Sequence, residues 1–252
     1  KIMSFPKTIG GSYGWEKQQT AAQKLPLGTE MAFADGRKYR YAEMGASAVT
    51  EGLLVAGEAP VAHHDENLTI TTSPAIGDKS IKITLEGTLA TENQYKEGYI
   101  FIDSPILGTS ASPHELYKIR SHAAIAASGI GEFFIDEDDG FVTAITAGTD
   151  TAGLIKNPYK DAIVAPGAIA GRFIGVTTRS MTAAYFGWLQ VAGMAVVACD
   201  TAAAIGTLLG ASSNHAGQFL AVSGDTTPAI ARVQGKATVD NKYHMVMLQN
   251  LY

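Results

Sequence analysis

A single cysteine, Cys199, stands in a chain of 252 residues, so no intramolecular disulfide can staple this fold. It lies in the apolar run 191–199, the setting of a buried and unreactive thiol, and fits synthesis in a reducing cytoplasm. Charge is scarce too. Asp, Glu, Lys and Arg make up 17% of the chain, against about 25% in an average soluble domain. With 19 basic and 24 acidic residues the net charge is −5. The basic residues are scattered, with no stripe or aromatic-interleaved patch, which argues against a nucleic-acid partner. No apolar run approaches the roughly 18–20 residues that cross a bilayer, so no membrane partner is expected. Residues 1–6 lack the continuous apolar stretch of a secretory signal. Helical periodicity is also thin: residues 20–25 and 43–56 are the best helix candidates, and both are short. No repeat recurs at a fixed period of roughly 20–50 residues, which disfavours solenoids and propellers.

What the chain does have is glycine (27 residues), Ala and Val, and a hydrophobic fraction of 46%. Short alternating or β-branched segments recur, separated by turn residues. Asp35 and Gly36 between 31–33 and 38–41 mark a tight hairpin. Segments 68–72 and 81–85 alternate cleanly and are joined by a longer loop. Strands are expected at 99–103, 116–120, 131–135, 141–145, 172–178, 184–191, 218–222, 229–233 and 244–248, with 202–210 either a short helix or a buried strand. The expected fold is all-β, mainly antiparallel and sandwich- or barrel-like, with a few short helices. Residues 1–28 are polar and glycine-rich and form an extended N-terminal arm, either frayed or ordered on a partner through Trp15. A β-rich domain over 29–155 follows, then a β-rich C-terminal region over 156–252, with the joint near 148–159.

Chemistry is mostly absent. Gly108, Ser110 and Ser112 miss the second glycine of a nucleophile elbow. Gly129 and Gly131 supply two of the three glycines of a dinucleotide fingerprint and run into a strand. The acidic run 136–140 fails the register of a calcium loop, because Gly140 stands where the fifth ligand belongs. His63, His64, Asp65 and Glu66 cluster in sequence, but neighbours on an extended strand point apart, so a surface turn is expected there. His122 is expected to be a hydrogen-bonded structural or interface histidine. No cofactor, metal or catalytic residue is assigned; the weakest alternative is a hydrolase using Ser110, His122 or Asp136.

Aromatic placement is more informative. Tyr39 and Tyr41 share one sheet face. Around 185–190, Tyr185 and Leu189 share one face, while Phe186, Trp188 and Gln190 share the other. Such a strand is covered on both sides, by the core or by a subunit interface.

The order of several segments resembles a known family. These are Leu27 and Gly28, then Gly36 through Tyr41, then Thr91 to Ile100, then Tyr117 to His122. Asn157, Pro158 and Tyr159 follow, and then Gly175 to Gln190. Together, over most of 27–195, they resemble the capsid decoration (cement) proteins of tailed bacteriophages. The resemblance implies a β-rich virion protein on the outer capsid surface, made in the host cytoplasm, that binds the major capsid protein and stabilises its lattice. It also implies a homotrimer. Trp15, Arg37, Tyr39, Arg40, Tyr41, His122, Tyr185, Phe186, Trp188 and Gln190 are the expected contacts with the capsid or with other subunits. A head or tail fibre, or a host-attachment module, is the alternative.

Overall fold

The computed structural model describes residues 8–103, 115–167, 172–222, 228–235, 239–249 and 251. It is all-β, with 42% of residues in strands. The chain opens with β1 (Thr8–Gly10), a 3₁₀ turn (Trp15–Lys17), β2 (Gln19–Thr20), β3 (Glu30–Ala32), β4 (Lys38–Glu43) and β5 (Leu54–Ala56). Then come β6 (Leu68–Ile70), β7 (Ser80–Thr84), β8 (Tyr99–Asp103), β9 (Glu115–His122), β10 (Ile130–Ile135) and β11 (Thr151–Ile155). The last part holds β12 (Ile163–Val164), β13 (Phe173–Thr177), β14 (Phe186–Cys199), β15 (Leu208–Ala211), β16 (Phe219–Ala221), β17 (Ala231–Val233) and β18 (Lys242–Leu248).

Two compact units result. Residues 59–157 form one, and the segments before and after them form the other. The rear boundary, between Asn157 and Pro158, falls inside the expected joint. The front boundary does not: it lies after Glu58 rather than near residue 28. The physical reason is strand pairing, since β14 pairs with β4 and β13 pairs with β5. Residues 8–58 are therefore bound into the same sheet as the C-terminal region.

The inserted unit is a closed six-stranded barrel in the order β10-β7-β6-β11-β8-β9. Alternation builds it directly: Leu68, Ile70, Ile81, Ile83, Ile100 and Ile102 all point into one core with Phe133 and Leu154. Closure removes sheet edges that would otherwise invite pairing with another chain.

The other unit is organised around β14. Its first half pairs with β4 on one side, and with β13 and β2 on the other. Ladder β4-β14-β13-β5-β12 is linked back to the end of β4 by the Met44–Ala162 bridge. At Gln190/Ala192 the register shifts. Gly193 then takes φ +88°, and a Cβ there would lie 2.9 Å from Arg37 Cα. This bulge redirects the strand. Its second half, 193–199, pairs with β18, and Cys199 pairs with Phe219 of β16. Through β15 and β17 these strands close on themselves. One long strand thus serves two ladders with separate cores, Ala42, Met44, Val55 and Leu189 in the first and Val197, Leu209, Phe219 and Val246 in the second.

Several expectations are corrected. Residues 43–56 are not helical; they cross as bridges and β5. Residues 20–25 run from the end of β2 into bends, and 202–207 lead through a turn into β15, which takes up 208–210. Segment 141–145 is not a strand, although Phe141 and Ile145 are buried. The described part of the N-terminal segment is not a detached arm: β1 pairs in parallel with β3, and Arg179 Nη1 donates to the Lys17 carbonyl at 2.9 Å.

Candidate interaction surface

The expected contact residues of the discontinuous unit fall mostly inside it. Tyr39, Tyr41, Phe186, Trp188 and Gln190 are all buried, as is His122 in the barrel. Register explains the sheet group, because Trp188 stands opposite Tyr41 and Gln190 opposite Tyr39, on one face. The Tyr41 ring meets Trp188 edge-on at 5.2 Å and stacks on Phe186 at 6.1 Å. Leu27 and Met31 complete that cluster, and Ile9, Leu25, Phe33 and Tyr159 close over it. These aromatics are covered by their own chain, so the face is core rather than contact surface. Burial pushes the Tyr39 phenol up to about 12.

The charged members are tied down locally. Arg37 bonds Asp35 through Nε at 2.7 Å, donates from Nη1 to Tyr39 Oη at 3.2 Å, and lies over the Phe33 ring. Arg40 pairs with Glu30 at 3.1 Å and donates to the Gly28 carbonyl at 2.8 Å. Buried Gln190 donates to the carbonyls of Ala192 and Met194, clamping the bulge. Tyr185 is half-buried, and its carbonyl accepts the Met44 N–H. Trp15 alone of the expected contact aromatics remains substantially open, 46% exposed on the 3₁₀ turn.

The surface that sequence reading missed lies on the second half of β14. Val197, Cys199, Val246 and Leu248 point inward. Their alternates point outward, and those are apolar as well: Met194, Val196, Tyr243, Met245 and Met247, between 37% and 59% exposed. Register places Met194 opposite Met247 and Val196 opposite Met245. A groove of about 430 Å³ opens beside them, bounded by Tyr13, Tyr39, Tyr243 and Gly52. Its rim carries both signs of charge, from Lys17, Arg37 and Glu51. Isolated apolar side chains are ordinary on a surface, but a contiguous set marks an interaction site. Apolar residues at every position of 194–197 hid the signal, since such a run is also what a doubly buried strand looks like.

Titratable clusters elsewhere are structural. The expected surface turn at 63–66 is present, with His63 and Glu66 exposed, but His64 within it is fully buried. Its Nε2 faces the Thr88 carbonyl at 2.9 Å and must carry the proton, so Nδ1 accepts the Tyr95 hydroxyl at 2.5 Å. The Tyr95 N–H donates to His122 Nε2 at 3.0 Å, leaving His122 Nδ1–H for the Ala123 carbonyl at 2.8 Å. Both imidazoles are thus held neutral around one tyrosine. Burial also lowers the His64 pKa below its ordinary 6.5. A histidine depressed in the folded state stabilises above its unfolded pKa and loses that contribution as pH falls through it. Barrel stability is therefore expected to fall as pH drops below about 6.5. Chemical denaturation of the wild type and His64→Gln at pH 8 and pH 5 checks this: the wild type should lose more stability than the variant over that interval.

Asp200 is buried and receives Ser212 Oγ at 2.8 Å, Asn214 Nδ2 at 2.9 Å and His215 Nδ1 at 2.8 Å. Burial pushes its carboxyl up, but the bonds from Asn214, Ser212 and His215 outweigh that and hold it below the usual range. Ser212 donates to the carboxylate rather than to the imidazole, and its Oγ also accepts the N–H groups of Asn214 and His215. That wiring clips a turn; it does not activate a nucleophile. Of the hydrolase alternatives, Ser110 lies outside the described residues and both His122 nitrogens are engaged. Among the described residues no group of three or more His, Cys, Asp or Glu side chains is placed to hold a metal ion. Burial drives the Cys199 thiol up to about 12. Among the described residues no helix is long and apolar enough to cross a membrane.

Comparison with protein-family models, with curated proteins and with solved structures returns no match.

Proposed function

We propose that this chain is a structural component of a virion, a decoration protein that binds the outer surface of a tailed-phage capsid and reinforces the lattice of the major capsid protein. The observation that carries the reading is the outward apolar row of β14 and β18, a set of side chains suited to lasting contact between the subunits of an assembly. The order of motifs over 27–195 gives that contact its expected setting. The wiring of His64, His122 and Asp200 into purely structural hydrogen bonds supports a role without catalysis. On a shell, many weak contacts act together, because each bound copy holds the next site at high effective concentration.

The N-terminal segment is a poor handle for testing this, since removing residues 1–24 would strip β1 and β2 from the sheet and uncover Trp188. The direct test is to mix the purified chain with shells assembled from its phage's major capsid protein and sediment them. A fixed ratio of bound chain to capsid protein, with shells that rupture at higher temperature, is expected. Failure to co-sediment with intact shells would overturn the reading.

A further inference from the structure

We propose that the outer face of the β14–β18 ladder is where two copies of this chain pair, face to face about a two-fold axis. The inference rests on the reading of that face as a contact surface and names its occupant. Register makes the face continuous: Met194 beside Met247, Val196 beside Met245, and Ala198 beside Tyr243. Tyr13, 77% exposed, extends it across the groove.

Size is the first argument for a second copy. Half-exposed aromatic and methionine side chains offer on the order of 100 Å² each, so this row and its rim approach the roughly 800 Å² per partner of a standard stable interface. Symmetry is the second. A ring of three needs two different patches that fit one another, whereas a two-fold pair needs one patch that fits itself. In this unit the other exposed large apolar residues among those described, Trp15, Ile163, Ile205 and Val239, are far apart in sequence and not on this ladder. Charge is the third. The rim holds Lys17 and Arg37 together with Glu51, so two copies meeting here do not set a single sign against itself. Side chains from two facing sheets would interdigitate as they do in a sandwich core, with the unbranched methionines adapting to the fit. The pairing differs from the homotrimer that the motif resemblance implies.

Sedimentation equilibrium of the full chain tests it. At about 10 µM the wild type should run at twice the monomer mass, as a dissociation constant near 1 µM or tighter requires. The double variant Val196→Glu, Met245→Glu should run as a monomer with an unchanged far-ultraviolet spectrum and melting temperature, because both positions face outward. A wild type of monomer or trimer mass would overturn the proposal, and so would a double variant that stays dimeric. If the double variant misfolds, the wild type still decides: peroxide oxidation of Met194, Met245 and Met247 should be slower in concentrated than in dilute solution, and equal rates overturn the pairing. A monomeric wild type that still binds shells, and loses them in the double variant, assigns the face to the capsid. That outcome sinks the pairing while leaving the structural function standing.

Discussion

Replacing Trp188 by alanine is expected to destabilise the discontinuous unit by about 3–5 kcal/mol, the range for removing a large aromatic side chain from a packed core. The indole is 7% exposed and sits at the middle of the Leu27, Met31, Tyr39, Tyr41 and Phe186 cluster. Its loss leaves a cavity under the N-terminal segment. The edge contact with Tyr41 disappears with it, a further fraction of a kcal/mol within the same range. Consequences should reach the sequence start, because β1 and the 3₁₀ turn rest on the face that Trp188 supports. Guanidinium denaturation measures the loss, and hydrogen exchange should show the amides of residues 8–20 opening faster. Trp188→Phe, which keeps an aromatic ring, should cost less than half as much. The chain has two tryptophans, and Trp15 is half-exposed, so the variant's fluorescence should shift to longer wavelength. A cost below about 1 kcal/mol, the size of an ordinary surface change, would show that the cluster does not hold the sheet together.

The same residue shows how far the sequence could be read. Alternation correctly paired Phe186 with Trp188 and Tyr39 with Tyr41, since period two follows from the pleat alone. It could not say what covers the face. The polar composition of 1–28 argues for a segment without a home, yet Glu16 is buried and accepts the Gly14 N–H at 2.6 Å. Strand pairing of β1 and β2, the packing of Ile9 and Leu25 and a bond from Arg179 hold it, and none of these leaves a compositional trace. Long-range pairing was equally hidden. Nothing in residues 38–56 announces that their neighbours in β13 and β14 lie more than a hundred residues on, so the sequence pattern runs the inserted barrel on from the strands before it. The burial of His64 is hidden for a related reason: its partners, Tyr95 and the Thr88 carbonyl, come from a different loop. Where the local pattern decided the outcome, as in the hairpin at Asp35 and Gly36, the reading and the structure agree.

Gly140→Ala is expected to cost the barrel about 2–4 kcal/mol, and the reason is also why 141–145 is not a strand. Gly140 has φ +73°, and a Cβ built on it would lie 2.4 Å from the Gly77 carbonyl oxygen and 2.5 Å from that of Asp78. Both obstacles are backbone, so no side chain can swing aside. The close approach is held by paired bonds, from the Phe141 N–H to the Asp78 carbonyl at 2.9 Å and from the Gly77 N–H to the Phe141 carbonyl at 2.8 Å. They bring Phe141 into the core, fully buried against Tyr117 with ring centres 4.7 Å apart. The turn at 136–140 therefore closes onto the loop between β6 and β7 and does not lead into a hairpin partner for β10. Alanine brings the left-handed penalty of about 1–2 kcal/mol and forces the loop off its partner, loosening Phe141 as well. Gly148→Ala separates the two effects, because Gly148 has φ +79° with nothing within 4 Å of its added Cβ. It should show the conformational penalty alone. Thermal and denaturant unfolding of the two variants should rank Gly140→Ala clearly below Gly148→Ala, and equal costs would mean that the loop moves aside freely and that the 77–78 contact does not anchor Phe141.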